Sequence, residues 1–310
     1  MKRITSEDPS ASFFLGVDGG GSKTLAIVVD AQGYERGCGR AGSANYNAVG
    51  LQKAVDHVRT AIEAATNAAG CHFPLRAAWL GLAGIDGPGD GALLLPHLLP
   101  LAKEMRLTND AELVLSALDG AVGVALIAGT GSIALGYDKC GATTRAGGWG
   151  HSLGDEGSGY EIGRLALQAA VRASDGRGKA TTLLERIMNY WQLNTVNDLT
   201  SQVYLYGSTT KIAALSMLVF TAAKEGDALA QEIVQRAVDE LALAAVTVSK
   251  KLDFTAMPIP LALGGGLLIH EHDFRTQIVE RIRQSLPVGK VVLVEHPAYS
   301  AACAAMRLSL

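Results

Sequence analysis

A run of glycines between two apolar stretches is the first group of residues in this sequence that could do chemistry. Its members are Gly19, Gly20, Gly21, Ser22 and Lys23. Glycine has no Cβ, so backbone N–H groups in such a loop can come close to a phosphate. The usual phosphate-binding loop and the dinucleotide fingerprint are excluded, because both open a helix and this loop lies between two strand-like segments. Taken alone, the segment is equally typical of an ordinary glycine hairpin.

Asp18 stands at the end of the apolar segment that leads into this loop. A carboxylate oxygen suits a hard cation, so Asp18 could hold Mg²⁺ through a water molecule. The alternative interpretation is a solvated carboxylate beside a turn.

Two further glycine-rich turns occur later in the chain. The first consists of Gly129, Thr130, Gly131 and Ser132. Its hydroxyl and amide groups suit a transferred phosphoryl group and its developing charge. The second ends an apolar strand and consists of Gly264, Gly265 and Gly266. Adenine or a phosphate could lie directly on that backbone. The alternatives are a second plain hairpin and a tight strand-to-helix turn.

The segment GGWGHSLGDEGS at 147–158 has too many glycines for the interior of a strand or a helix. We predict an ordered functional loop that leads into a helix. Trp149 could cover one face of a ligand there, and Asp155 could accept hydrogen bonds from sugar hydroxyls. A place in the core is the alternative for Trp149. His151 has no cysteine or histidine partner at ligand spacing, so we interpret it as a structural or supporting residue.

Asp110 is the candidate catalytic base. It is predicted to end an interior strand just before a helix, where residues that line a cleft are expected. Phosphoryl transfer to an alcohol benefits from a carboxylate that orients the hydroxyl and accepts its proton. The alternative is that Asp110 caps the following helix, a common role for aspartate at that position.

The elements that must position these residues occur twice. Three strands with a glycine turn begin near residue 13, and the same plan returns about 110 residues later in VALIAGTGSIALGYDKCGATTRAGG. Each half continues with a helix, a buried strand that ends in glycine, a second helix, a strand and a last helix. Both halves therefore follow a β-β-β-α-β-α-β-α order, and helices inserted between about 156 and 252 enlarge the second half.

This order predicts an α/β protein with two mixed five-stranded sheets, each covered by helices, around a central cleft. We expect a flexible tail at 1–12, an N-terminal domain at 13–120 and a C-terminal domain at 121–310. In this domain arrangement, the last helix can pack on the N-terminal domain.

Composition excludes several classes of protein. Of 310 residues, 48% are hydrophobic and 18% charged, and the net charge of −3 disfavours binding to nucleic acid. No apolar stretch is long enough to span a membrane. The four scattered cysteines fit neither a zinc ribbon nor an iron–sulfur site, and they favour a reducing cytoplasm.

Seven motifs together resemble the N-acetylglucosamine kinase family, within the actin-like (ribonuclease H-like) sugar kinases and related to BadF/BadG/BcrA/BcrD-type ATPases. In family order they are GVDGGGSKT, GSANYN, GLAG, TNDA, IAGTGS, GGWGHSLGDEGS and LGGGL, which run from residue 16 to residue 267. The resemblance thus covers nearly the whole chain, and the long glycine–tryptophan motif is its most specific part.

The resemblance implies a role for each matching position. Gly19 to Ser22 and Thr130 to Ser132 would bind the phosphates of ATP, with Asp18 near Mg²⁺ and Gly265 beside the adenosine. Asp110 would be the base on the 6-hydroxyl of a sugar. The sugar ligands would be Asn45, Gly148, Trp149, Gly150 and Asp155. Family members often have threonine in place of Ser22, which keeps the hydroxyl.

We therefore expect an ATP- and Mg²⁺-dependent sugar kinase with a small-molecule substrate, N-acetylglucosamine first. Glucosamine, N-acetylmuramate and glucose are open alternatives, and a homodimer is plausible. A related alternative is an ATPase that activates 2-hydroxyacyl-CoA dehydratases, but its iron–sulfur cysteines have no counterpart here. The third hypothesis is a sugar-sensing module without catalysis. The presence of Asp110 and of both glycine-rich loops argues against it.

Overall fold

The computed structural model describes residues 13–85, 88–98, 101–254 and 257–309. The tail predicted at 1–12 lies outside the described residues. The chain divides into two compact units, one formed by Met1–Ala121 with Val294–Leu310 and the other by Val122–Leu293. The last helix therefore belongs to the first unit.

The first unit contains a five-stranded mixed sheet. Its strands are β1 (Phe14–Gly19), β2 (Thr24–Val29), β3 (Glu35–Ala41), β4 (Leu75–Leu82) and β5 (Ala102–Thr108). They lie in the order β3-β2-β1-β4-β5. β1 pairs antiparallel with β2 and parallel with β4, so the hairpin between β1 and β2 opens at the same edge as the end of β4.

Helices cover this sheet. They are α1 (Tyr46–Val49), α2 (Leu51–Ala69), α3 (Pro88–Leu98) and α12 (Pro297–Ala305), and 3₁₀ segments span Asp110–Ala117, Asp119–Ala121 and Met306–Ser309. The buried side chains of α2 recur at helical spacing, for example Val55, Val58 and Ile62. Burying each such side chain fully contributes about 1.5–3 kcal/mol. α12 packs so closely on β1 that a Cβ atom added to Gly16 would lie 1.9 Å from the Ala298 carbonyl oxygen.

The second unit repeats the sheet. Its strands are β6 (Gly123–Ala128), β7 (Ser132–Tyr137), β8 (Thr143–Gly147), β9 (Ile259–Gly264) and β10 (Val288–Val294), in the order β10-β9-β6-β7-β8. Its helices are α4 (Gly159–Ser174), α5 (Leu183–Trp191), α6 (Asp198–Tyr204), α7 (Thr209–Ala213), α8 (Ser216–Lys224), α9 (Ala228–Lys251), α10 (Gly266–His270) and α11 (His272–Arg283). α4 to α9 are the predicted insertion and form most of this unit's core.

The duplication extends to individual turns. After β2, a side-chain oxygen of Asp30 accepts the N–H groups two and four residues further on, at 2.9 and 3.0 Å. After β7, Asp138 does the same at 2.8 and 2.8 Å. Both turns then need a left-handed residue, which is Gly33 (φ 82°) in one and Gly141 (φ 89°) in the other. The predicted fold of two mixed five-stranded sheets is confirmed.

Two expectations about the first unit are wrong. β5 is an edge strand rather than an interior one, and the charged residues Lys103, Glu104 and Arg106 within it are typical of a protected edge. The segment after it is a 3₁₀ helix, not an α-helix. Its hydrogen bonds span three residues, as in the bond from the Glu112 N–H to the Asn109 carbonyl oxygen.

Within the described ranges, no helix has both the length and the apolar character needed to cross a membrane.

Candidate active site

The hairpin between β1 and β2 presents backbone amides at the edge of the first unit. The Gly20 N–H donates to the Lys23 carbonyl oxygen at 2.9 Å and closes the turn. The Gly19 carbonyl oxygen accepts from the Ala83 N–H at 2.8 Å, so this side of the loop is held by the protein. At the tip, no heavy atom of the described residues, apart from Gly21 and its two chain neighbours, lies within 4 Å of a Cβ added to Gly21. A phosphate can therefore approach the Gly21 backbone closely.

Asp18 lies directly below this loop, half-buried at the end of β1. Burial, and after it the negative charge of Asp110, raise its pKa to about 6, although the positive charge of Lys23 acts in the opposite direction. The structure thus brings two of the predicted site residues, Asp18 and Asp110, close enough to interact electrostatically within one unit. Such a pair is costly unless a cation or a proton neutralises it.

Asp110 does not end β5 as predicted, because the strand stops at Thr108. Asn109 is the N-cap of the 3₁₀ helix, and its side-chain oxygen accepts the Ala111 N–H at 3.0 Å. Asp110 shares that N–H at 3.0 Å through Oδ1. Asn109 also donates from Nδ2 to the Ile85 carbonyl oxygen at 2.9 Å, which fixes this corner to the end of β4. The capping role is therefore carried mainly by Asn109.

Asn45 is the N-cap of α1, and its side-chain oxygen accepts the Asn47 N–H at 3.0 Å. The same oxygen would lie 3.0 Å from a Cβ added to Gly84, which has a φ of 93°. A larger residue at position 84 would therefore displace the Asn45 side chain. The neighbouring loop is held by His57, whose Nδ1 lies 2.7 Å from the Ser43 carbonyl oxygen. Four residues at this corner were not predicted from the sequence to have a role, although the GSANYN, GLAG and TNDA motifs contain three of them: Asn47, His57, Gly84 and Asn109.

In the second unit, the loop between β6 and β7 is anchored on the first turn of α4. The Gly129 and Thr130 carbonyl oxygens accept the N–H groups of Gly159 and Tyr160 at 2.8 and 3.2 Å. These bonds hold the loop's carbonyl groups against the helix and leave Thr130 exposed at the tip. The Ser132 hydroxyl, expected to contact a phosphate, instead donates to the Glu156 carbonyl oxygen at 2.7 Å.

Asp155 also faces this loop. It is 9% exposed and adopts a left-handed conformation with a φ of 63°. Its Oδ1 accepts the Ser132 N–H at 3.4 Å, and its Oδ2 would lie 2.9 Å from a Cβ added to Gly131. Burial raises the pKa of Asp155, while the N–H groups of Ser132 and Gly150 and the nearby His151 lower it. The carboxylate thus joins the loop between β6 and β7 to the loop that was predicted to bind the sugar.

The predicted sugar loop of this unit begins at the same place. The Gly148 N–H donates to the Ser132 carbonyl oxygen at 3.0 Å. Trp149 is 62% exposed, so it is not part of the core. The Arg145 guanidinium lies 4.6 Å from the centre of the indole ring and holds it by a cation–π contact.

The triple glycine at the end of β9 adjoins the loop between β6 and β7. Gly265 has a φ of 87°, and a Cβ added to it would lie 2.4 Å from the Ala128 carbonyl oxygen. The Gly266 N–H group is 3.7 Å from the position of a Cβ on Gly129. The second unit therefore collects two glycine-rich turns, the Trp149 loop and Asp155 in one region.

A divalent cation is compatible with the donors of the first unit. Asp18 and Asp110 offer carboxylate oxygens, which Mg²⁺ prefers, and the negative charge of Asp110 adds to burial in raising the pKa of Asp18. Among the described residues, no group of three or more His, Cys, Asp or Glu side chains could enclose a metal ion. Mg²⁺ here would keep most of its water and be shared with a phosphate.

The repeated unit, with a glycine hairpin between the first two strands of each mixed sheet, defines the duplicated actin-like class. The chain belongs to the BadF/BadG/BcrA/BcrD ATPase family, whose model matches residues 15–305. The resemblance noted in the sequence is thereby confirmed, and ATP is the nucleotide that membership of an ATPase family implies.

Two curated relatives and one solved structure are similar over most of the chain. An N-acetyl-D-glucosamine kinase of Dictyostelium discoideum is 32% identical over 299 residues, 91% of this chain and 94% of that protein. An N-acetylmuramic acid/N-acetylglucosamine kinase of Clostridium acetobutylicum is 32% identical over 221 residues, 70% of this chain and 72% of that protein. A structure described as a candidate N-acetylglucosamine kinase from Chromobacterium violaceum superimposes with a TM-score of 0.71 at 26% identity, over 97% of this chain and 100% of that one.

Proposed function

We propose that this protein is an ATP-dependent amino sugar kinase that transfers the γ-phosphoryl group to the 6-hydroxyl, with N-acetylglucosamine as its substrate. The main support for this proposal is that Asp110, Asp18 and the glycine hairpin lie in one unit, where the negative charge of Asp110 raises the pKa of Asp18. A base, a cation ligand and a phosphate loop are the parts that phosphoryl transfer to an alcohol requires. The kinase activities of the curated relatives support the same conclusion.

Asp110 is the base in this proposal. The sugar hydroxyl donates a hydrogen bond to the carboxylate, its oxygen attacks the γ-phosphorus, and the bond to the ADP oxygen breaks. The hydroxyl proton passes to Asp110. Because the transition state is loose, orientation of the hydroxyl matters more than removal of the proton.

The two hairpins bind the phosphates. In the first unit Gly21 and Ser22 are exposed, and in the second Thr130 is exposed and Gly131 is half-buried. Fixed N–H and O–H donors stabilise charge that develops on the transferred phosphoryl group. Mg²⁺, bound through Asp18, would supply charge neutralisation on the phosphate oxygens. Gly264, Gly265 and Gly266 border the nucleotide in the same scheme.

The residues assigned to the sugar in this proposal are Asn45 of the first unit and Gly148, Trp149 and Gly150 of the second, as the resemblance implies. A flat, exposed indole ring is suited to the apolar face of a pyranose. Asp155 has one carboxylate oxygen on the Ser132 N–H, so in this proposal it acts on the sugar chiefly through the loops that it joins.

An ADP-release assay across N-acetylglucosamine, glucosamine, N-acetylmuramate and glucose tests the proposal, with the phosphorylated position read by NMR. We expect the highest kcat/KM for N-acetylglucosamine and a 6-phosphate product. A higher kcat/KM for N-acetylmuramate, one of the two sugars named for the Clostridium relative, would assign that sugar as the substrate instead. ATP hydrolysis that no sugar changes would favour the ATPase-activator alternative. A cytoplasmic location and a homodimer stay predictions from the sequence.

A further inference from the structure

Thr24 is the last residue of the GVDGGGSKT motif, and no role in binding or catalysis has been assigned to it above. It is the first residue of β2, and its exposed fraction is 0%. A threonine at the start of a central strand could serve packing alone. Its hydroxyl, however, donates a 2.7 Å hydrogen bond to the Gly42 carbonyl oxygen, 18 residues away.

That bond connects two loops with different proposed ligands. Thr24 pairs with Gly19 across the hairpin that is proposed to bind phosphates. Gly42 is the first residue after β3 and begins the GSANYN loop, which carries the sugar ligand Asn45. The Thr24 hydroxyl therefore fixes the exit of the sugar loop to the base of the phosphate hairpin.

A second bond joins the same two loops. The Ala44 N–H donates to the Gly20 carbonyl oxygen at 3.1 Å. At the same contact, a Cβ added to Gly19 would lie 2.6 Å from the Ala44 Cβ, so only glycine at position 19 lets the hairpin lie this close to Ala44. Asn45 follows Ala44 directly, and its N–H donates to the Ser43 hydroxyl at 3.1 Å. A shift of Gly20 would thus move the backbone next to the sugar ligand.

The second unit carries the equivalent connection. There the Ser132 carbonyl oxygen, at the start of β7, accepts the Gly148 N–H from the residue after β8 at 3.0 Å. Asp155 adds a bridge between Ser132 and Gly150. Since the duplicated unit joins its hairpin to the exit of its third strand both times, the link in the first unit is a property of the repeat.

We propose that Thr24 is a positioning residue that couples the phosphate hairpin to the sugar loop, so that nucleotide and amino sugar each strengthen the binding of the other. The inference rests on the proposed function for the identity of the two ligands. Phosphate contacts at the amides of the hairpin restrain Gly20, and the bonds of Ala44 and Thr24 pass that restraint to residues 42–45. By linkage the effect is reciprocal, and coupling of this kind is typically about fivefold or more in affinity.

The test compares four proteins. Thr24→Val removes the hydroxyl and keeps the shape, whereas Thr24→Ser keeps the hydroxyl. Thr66→Val is the matched control, because Thr66 is 2% exposed in the same unit and its hydroxyl bonds only within α2, to Ile62 and Glu63. It reproduces the loss of a buried threonine hydroxyl away from both loops.

Calorimetry would give the Kd of N-acetylglucosamine with and without saturating Mg²⁺ and AMPPNP. We expect the nucleotide analogue to tighten sugar binding at least about fivefold in the wild type, in Thr24→Ser and in Thr66→Val. In Thr24→Val the ratio should fall to about one. An unchanged ratio in Thr24→Val, or loss of coupling in Thr66→Val as well, would overturn the inference.

Hydrogen exchange separates this inference from the proposed function, because it needs no sugar. Mg²⁺ and AMPPNP alone should slow exchange of the amides at 43–47 in the wild type and in Thr24→Ser, but not in Thr24→Val. Absence of protection in the wild type overturns the coupling, even if the valine variant does not fold. Protection without phosphorylation of any tested sugar would support the coupling and contradict the proposed function.

Discussion

The Asp155 carboxylate lies against the backbone of Gly131, where an added Cβ would come within 2.9 Å of Oδ2. The left-handed backbone of Asp155 turns the side chain toward this loop. A buried carboxylate would be electrostatically unfavourable under this loop if the loop binds phosphates, as proposed. Its hydrogen bonds to loop N–H groups are therefore expected to have a structural purpose, namely to hold the two loops of the second unit together.

Asp155→Ala should raise the KM for ATP about tenfold or more, because loss of a charged hydrogen-bond acceptor releases the loop at Thr130 to Ser132. Steady-state kinetics with each substrate varied in turn measures this. Asp138→Ala is the control, since Asp138 also accepts two backbone N–H groups in the same unit but at a distant turn. An increase confined to the KM for the sugar would instead make Asp155 the sugar ligand that the resemblance implies.

Gly21→Ala should weaken ATP binding without weakening the fold. Among the described residues beyond its chain neighbours, none comes within 4 Å of the added methyl group, so the free energy of unfolding should change by less than about 0.5 kcal/mol. The methyl group would occupy the space through which a phosphate reaches the backbone, and the KM for ATP should rise about fivefold or more. Gly91→Ala, at another open glycine of the first unit, is the control in calorimetric titration with AMPPNP. Equal ATP affinity in both variants would remove the hairpin from the phosphate site.

Trp149→Ala should raise the KM for the sugar about three- to tenfold and leave the melting temperature unchanged, because the ring is 62% exposed. Trp149→Phe should recover part of the affinity. Tyr204→Ala provides the comparison, since Tyr204 is another exposed aromatic residue of the second unit. Sugar-dependent kinetics and thermal melts check both expectations, and a lowered melting temperature with unchanged KM would assign Trp149 to packing.

The stability of the ligand-free protein should depend on pH through Asp18. Its pKa rises from 3.8 to about 6 in the folded state, so the folded protein binds this proton more tightly than the unfolded chain. The associated stability is fully present below pH 3.8 and is lost as the pH rises through about 6. The rise corresponds to at most about 3 kcal/mol. Urea unfolding of wild type and Asp18→Asn between pH 4 and pH 7 measures the difference. Parallel pH profiles for the two proteins would contradict it.

Much of the fold follows from local chemistry in the sequence. Apolar strands, glycine turns and the repeated Asp-x-x-Gly signal fix the two sheets, because each feature depends on neighbours in the chain. β5 was misplaced because its position in the sheet depends on β4, a long-range pairing. The 3₁₀ form of Asp110–Ala117 depends on tertiary packing in the same way.

For the candidate site, the sequence allows roles to be predicted for Asp18, Asn45 and Asp110 from their own positions in the motifs, and these roles stay predictions. The sequence does not show where a side chain turns toward a distant backbone. The hydroxyl of Ser132 and the carboxylate of Asp155 are both used inside the second unit, and the spacing of GGWGHSLGDEGS contains no signal for that direction. The left-handed φ of Asp155 is set by the loop as a whole.

The variant Asp110→Asn isolates the proposed base of the phosphoryl transfer. Asp119→Asn makes the same change at another carboxylate of the first unit and is the control. Formation of N-acetylglucosamine 6-phosphate should fall by about a hundredfold to ten thousandfold in Asp110→Asn, while calorimetry shows sugar binding retained. Asp119→Asn should turn over at the wild-type rate. Near-normal turnover in Asp110→Asn would show that Asp110 is not the base.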